Sequence, residues 1–211
     1  PRISTLDSIA SRYYPNQPYL VSEFGPAGYW APEYTVTDGR EQLVESSSYQ
    51  KAREYIDNWQ NYISPYEGKN LGGVAFCWRD RFEGTATWFG ITDINNRIKP
   101  GYYALKEAWT GEKVPFPIAD AYIIPPWEVS NYRLSKVVTK DYKRRDLHYE
   151  WYICRETMLE RVGSVNLQDR GRAALIELPG EDSDYRIYVH ISDEEGNVVT
   201  ASTPIVPRKN N

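Results

Sequence analysis

The sequence predicts an α/β region followed by an all-β region, and three observations carry that reading. As far as Trp109, segments with apolar residues at helical spacing alternate with short, nearly continuous apolar runs, the pattern of βα units in a parallel sheet. Beyond about residue 120 the period changes to strict alternation of apolar and polar residues, the pattern of strands with one buried face. A proline-rich stretch lies between the two. The division is therefore residues 1–109, a linker over 110–124, and a second unit over 125–211.

In order along the chain, Ile3, Leu6, Ala10 and Tyr13 recur at helical spacing and predict a short amphipathic helix over 3–14. Pro15 and Pro18 end it, because proline cannot continue a helix. The run Tyr19-Leu-Val-Ser-Glu-Phe-Gly25 has the length of a buried parallel strand and places Glu23 where strand gives way to loop. Ligands and chemistry sit at the carboxyl ends of strands in parallel architectures. An acidic group there is costly to bury without a use or a partner, so Glu23 reads equally as a functional carboxylate or as a structural one paired to an arginine. Residues 25–37 read as an irregular loop. Thr37 or Asp38 is expected to cap the next helix, which carries Ala52, Ile56, Trp59 and Ile63 on one face and closes at Pro65 and Gly68. Leu71-Gly-Gly-Val-Ala-Phe-Cys-Trp78 is a second buried strand with Trp78, Arg79, Asp80 and Arg81 at its polar end. A loop with Glu83, Trp88 and Phe89 follows, then a helix from Tyr102 to Trp109.

Pro115, Pro117, Pro125 and Pro126 fall within the proline-rich stretch over 110–130 that holds the linker. Leu147, Tyr149, Trp151 and Ile153 then alternate with His148, Glu150, Tyr152 and Cys154. Tyr185, Ile187, Val189 and Ile191 repeat the pattern, and Asp193–Asn197 is a hairpin turn into 198–206. Further strands are expected near 131–139, 158–166 and 172–178. Short strands at this spacing with a central Trp predict an immunoglobulin-like or fibronectin-like sandwich.

Composition narrows the function. Net charge is −4 with no long basic run, which argues against a nucleic-acid partner, and Lys143-Arg144-Arg145 beside Asp141 and Asp146 reads as a solvated turn. Cys77 and Cys154 belong to no Cys/His cluster and fall in different predicted units, so neither a metal site nor a mutual disulfide is expected. His148 and His190 lie in alternating segments and read as satisfied surface or core residues. No apolar run reaches the ~18–20 residues of a membrane span. The opening at Pro1, inside a predicted helix, reads as an excised piece of a longer polypeptide. Aromatics are the outlier, with 7 Trp and 18 Tyr against 5 Phe. Trp and Tyr combine a flat apolar face with a hydrogen-bonding edge, which suits sugar clefts and half-buried sheets alike.

Two segments together resemble clan A glycoside hydrolases. Tyr19-Leu-Val-Ser-Glu-Phe-Gly25 is similar to their nucleophile strand, and Gly73-Val-Ala-Phe-Cys-Trp78, about fifty residues on, to the closing strand of their barrels. Trp88-Phe-Gly-Ile-Thr-Asp93 followed by Lys99-Pro-Gly-Tyr-Tyr-Ala-Leu105 resembles the end of family 2-like members. The resemblance covers residues 1–109 and implies the last two strands and helices of a (β/α)₈ barrel. By the same resemblance Glu23 is the nucleophile of a retaining β-glycosidase and Trp78 the floor of the sugar site, with Asp80, Trp88, Tyr29 and Trp30 lining the cleft. Arg79 is a candidate cation to keep Glu23 ionised, or else a surface partner of Asp80.

A complete barrel needs about 200–250 residues, and the family's acid/base glutamate lies on a fourth strand with no match before Glu23. The expected partners are therefore an oligo- or polysaccharide and the remainder of the same polypeptide, with no cofactor. The piece alone is expected to be inactive and to self-associate through unpaired strand edges. The resemblance also implies a periplasmic or extracellular location. The competing expectation is a non-catalytic carbohydrate-binding or structural module of a larger glycan-processing protein.

Overall fold

A computed structural model describes residues 2–37, 41–129, 132–141, 145–179 and 183–205. The chain mixes helix and sheet and is sheet-rich, with three α-helices among the described residues and most strands in antiparallel sheets. A 3₁₀ turn, Ile3–Thr5, leads into α1, Leu6–Tyr13. Strand β1 is Tyr19–Phe24, and the short strands β2 (Thr35–Thr37) and β3 (Glu41–Leu43) pair as a small antiparallel ribbon. Helix α2 spans Ser48–Asn58 and continues as a π-helical turn through Ile63.

The expected cap at Thr37 or Asp38 is corrected: Asp38 lies outside the described residues, Thr37 ends β2, and the helix starts ten residues later. Its start is set by a capping box, in which Ser47 Oγ accepts from the Gln50 amide and the Gln50 side chain accepts from the Ser47 amide.

Strand β4, Asn70–Ala75, pairs with β1 in parallel, with Tyr19 opposite Asn70, Val21 opposite Gly73 and Phe24 opposite Ala75. Helix α3, Pro100–Thr110, packs on α2. One face of the β1–β4 pair sends Val21 and Phe24 into a core with Ala52, Tyr55, Ile56, Ile91, Ala104 and Leu105. On the other side Leu20, Leu71 and Val74 are 54%, 67% and 54% exposed.

The proline-rich stretch is not irregular throughout. Strand β5 runs from Ile118 to Val129, and Pro125 and Pro126 sit at an irregularity in its ladder with β6, Tyr132–Asp141, where missing N–H donors are tolerated. Strands β7 (His148–Arg155), β8 (Ser164–Gln168), β9 (Ala173–Glu177), β10 (Tyr185–Ser192) and β11 (Val198–Ile205) follow. The strand expected near 158–166 is thus shifted to 164–168. They form a four-stranded sheet in the order β5-β6-β9-β8 and a three-stranded sheet in the order β11-β10-β7. The two share a core that includes Ile123, Val137 and Ile176 from the first and Trp151, Ile187 and Val189 from the second.

All eight residues of β10 are buried. Its apolar side faces that core, and its polar side, Arg186, Tyr188, His190 and Ser192, faces the amino-terminal half. His190 bonds to Tyr152 at 3.0 Å and lies 3.4 Å from Asp93. The solvated turn expected at 143–145 is corrected for Arg145, which is bound to Asp193, Asp141 and the Pro117 carbonyl; Lys143 and Arg144 lie outside the described residues. Cys77 and Cys154 are both free thiols.

Candidate functional site

The carboxyl end of β1 opens into a cleft of about 860 Å³. Strict alternation would turn Glu23 toward the core with Val21. The register instead slips between Val21 and Phe24, so Ser22 and Glu23 both face outward while Phe24 returns inward. Bulges re-aim side chains in this way. Glu23 is exposed on the cleft wall, and among the described residues no side chain bonds to its carboxylate.

Aromatic rings also line the cleft. Trp30, 71% exposed, lies 6.1 Å from the Phe89 ring, and Phe89 lies 5.3 Å from Phe76. The Arg81 guanidinium lies 5.1 Å over Phe76 and pairs with Glu83. The charged groups on the wall are Glu23, Glu33, Glu54 and Glu83 against Arg2 and Arg81, so the cleft is acidic.

Helix α2 holds this wall from behind. Glu54 accepts from the Ala27 amide at 2.5 Å and from the Tyr34 hydroxyl at 3.5 Å, and Asn58 Nδ2 donates to the Gly25 carbonyl at 2.8 Å. Burial pushes the Glu54 carboxyl above its ordinary value, although these donors pull it back. Tyr55, on the same helix, donates to the carbonyls of Phe76 at 2.5 Å and Phe89 at 3.0 Å. Gly84 has φ +71° and lies against the Tyr29 ring, where a Cβ would collide.

The expected site residues fall into two groups. Glu23 and Trp30 share the cleft. Tyr29 stands behind Trp30 at 5.1 Å and packs edge-on against Trp88 at 5.9 Å. Trp88 is 2% exposed and donates to the Ala27 carbonyl at 2.9 Å, so it supports the wall from inside. Asp80 is 2% exposed and binds Lys99 Nζ through both oxygens at 2.9 Å; burial raises its carboxyl above the ordinary range, against the pull of Lys99. Arg79 is exposed and is the partner of neither Glu23 nor Asp80. Trp78 is 62% exposed and lies outside the cleft lining; the aromatic that the end of β4 supplies there is Phe76.

The residues that sequence reasoning passed over are Phe76, Phe89, Glu54, Arg81 and Glu83. Phe76 had a signal, being an aromatic two positions before Trp78 in the same run. Glu54 had none, because a polar residue on a helix reads as solvent-facing. Among the described residues no group of three or more His, Cys, Asp or Glu side chains is arranged to hold a metal ion.

A carboxylate turned into an aromatic-walled cleft can present an oxygen nucleophile or base to a ligand that stacks on the rings and offers hydroxyls to the acidic rim. Compared with known proteins, the chain matches no protein-family model and no curated protein.

Proposed function

We propose that this chain is the carboxy-terminal part of a retaining β-glycoside hydrolase acting on oligo- or polysaccharides, with Glu23 as nucleophile. In this reading β1 and β4 are the seventh and eighth strands of a (β/α)₈ barrel. The two antiparallel sheets are an immunoglobulin-like sandwich, and the acid/base carboxyl lies on a fourth strand outside this sequence. The observation that carries the reading is Glu23 at the carboxyl end of a parallel strand, turned into a cleft walled by Trp30, Phe76 and Phe89.

The chemistry would proceed by displacement. The Glu23 carboxylate attacks the anomeric carbon, the glycosidic C–O bond breaks, and a carboxylic acid about 5–5.5 Å away protonates the departing oxygen. Water, deprotonated by that same second group, then cleaves the glycosyl ester and frees Glu23. The Trp30–Phe89–Phe76 surface supports the apolar face of the sugar ring, in place of the floor expected from Trp78.

The test is hydrolysis of a panel of chromogenic β-glycosides by the whole polypeptide and by its Glu23→Gln variant. Turnover should disappear in the variant while the far-UV circular dichroism spectrum stays the same. Full activity in Glu23→Gln, or hydrolysis by the 211-residue chain alone, would sink the assignment.

A second reading, a non-catalytic carbohydrate-binding or structural module, has one observation in its favour. Tyr122 and Trp127 are 49% and 40% exposed on the outer face of the four-stranded sheet, and Lys136 Nζ lies 5.6 Å over the Trp127 ring. Retention on insoluble polysaccharide that Trp127→Ala abolishes and Glu23→Gln leaves intact would favour it.

A further inference from the structure

The segment from Glu83 to Phe89, whose two ends line the cleft, has little secondary structure of its own. Its one ladder contact is an isolated bridge between Glu83 and Thr85. The conformation of such a segment depends on the groups that grip it.

Those groups converge on Glu45, whose side chain is 3% exposed and does not line the cleft. Glu45 Oε2 accepts from Thr85 Oγ1 at 2.8 Å and from Ser202 Oγ, on β11, at 2.6 Å. Glu45 Oε1 accepts from Thr87 Oγ1 at 2.8 Å and pairs with Lys51 of α2. The Thr87 carbonyl accepts from Lys51 and Lys99, each at 2.9 Å, and the Ala86 amide donates to the Tyr188 hydroxyl of β10 at 3.2 Å. Thr85 and Thr87 are fully buried. Trp88 and Phe89 follow directly; Trp88 ties down the Ala27 carbonyl, and Phe89 faces the cleft.

We infer that Glu45 is a positioning residue for the cleft, the joint through which the three-stranded carboxy-terminal sheet holds the Thr85–Phe89 segment and, by way of Trp88, the loop that carries Trp30. A buried carboxylate shared among this many donors is stiff, because displacing any one of them leaves part of a charge unpaired in a low dielectric. The three-stranded sheet is therefore part of the site's scaffold rather than an appended module. The inference stands on these contacts whatever ligand the cleft takes.

The test uses the full 211-residue chain labelled with 5-fluorotryptophan, its seven ¹⁹F resonances assigned by Trp→Phe replacement. Two variants are read, Glu45→Gln and Ser202→Ala; the second removes a donor on β11 that touches no cleft residue. In both, the Trp88 and Trp30 resonances should shift by more than their linewidths. The Ala86 and Gly90 amides should exchange about tenfold faster, as about 1.4 kcal/mol of lost local stability gives. The Trp127 and Trp151 resonances and the Val189 and Ile191 amides should hold. If Glu45→Gln does not fold, Ser202→Ala decides alone. Unmoved Trp88 and Trp30 resonances in a folded variant, or a uniform acceleration of all amides, would overturn the inference.

Discussion

Replacing Arg186 by Met probes the joint between the two halves at a fully buried charge. The Arg186 side chain is fully buried. Its Nε lies 3.1 Å from both oxygens of Glu156, Nη1 donates to Ser202 Oγ at 2.9 Å, and Nη2 donates to the Leu43 carbonyl at 2.6 Å and to Glu156 Oε1 at 2.5 Å. Adding these bonds one by one would overstate the effect, because burying the guanidinium already cost much of what they return. What the substitution leaves behind decides the magnitude. Glu156, whose side chain is 14% exposed, loses its counter-charge, and the Leu43 carbonyl loses a donor. Burial already raises the Glu156 carboxyl, and Arg186 is the main group opposing that rise.

Breaking one side of a buried ion pair costs about 3–5 kcal/mol. For a chain of this length that corresponds to roughly 6–20 °C in Tm, at roughly 2–4 °C per kcal/mol. Thermal unfolding followed by circular dichroism measures it. Adding Glu156→Gln to Arg186→Met should restore part of the loss, because removing both partners is cheaper than stranding one. A loss below about 1 kcal/mol for Arg186→Met, or a double variant that falls by the sum of the single losses, would refute the reasoning.

Acid should weaken the same joint. Burial alone would raise the Glu45 carboxyl, but Lys51, Ser202 and Arg186 together hold it at about 2 against an ordinary 4.5. A folded value below the unfolded one gives stability that is present above pH 4.5 and lost as pH falls toward 2. That gap is worth about 3 kcal/mol, and the urea midpoint of Glu45→Gln should fall less steeply over that range than wild type; parallel curves would contradict the assignment. Asp93, also held at about 2, adds to the acid loss in the same direction. Gly90→Ala should destabilise by about 1–3 kcal/mol, the usual cost of overpacking, because its Cβ would meet the Asp80 backbone nitrogen and the Thr92 carbonyl; a neutral result in urea titration would show that this turn can give way. The outer edges of β1 and β4 pair with no strand among the described residues, and Leu20, Leu71 and Val74 are exposed beside them. Light scattering on the chain should therefore show concentration-dependent self-association that Leu71→Lys suppresses; a strict monomer would remove the prediction.

Much of the secondary structure was legible in the sequence because it is written in local periodicity. The spacing of Ala52, Ile56, Trp59 and Ile63 gives a helical face, and the two apolar runs around Val21 and Val74 give strands that pair in parallel. The alternation at 147–154 and 185–192 identifies Tyr149, Trp151, Ile187 and Val189 as core residues. Where local signals compete, the reading slipped. The Ser47–Gln50 box outweighed Asp38 as a helix start, and β5 runs through two prolines because its ladder is irregular there. Periodicity says which face of an element is apolar, but not what covers the other face. Arg186, Tyr188 and His190 alternate with the apolar positions of a strand, and the tertiary structure buries them against segments more than ninety residues away. The aim of Glu23 also depends on packing, since a slip of register turns it outward. Phe76 rather than Trp78 reaches the cleft for the same kind of reason: the path of the chain after β4 is set by side-chain partners distant in sequence, and no local pattern carries them.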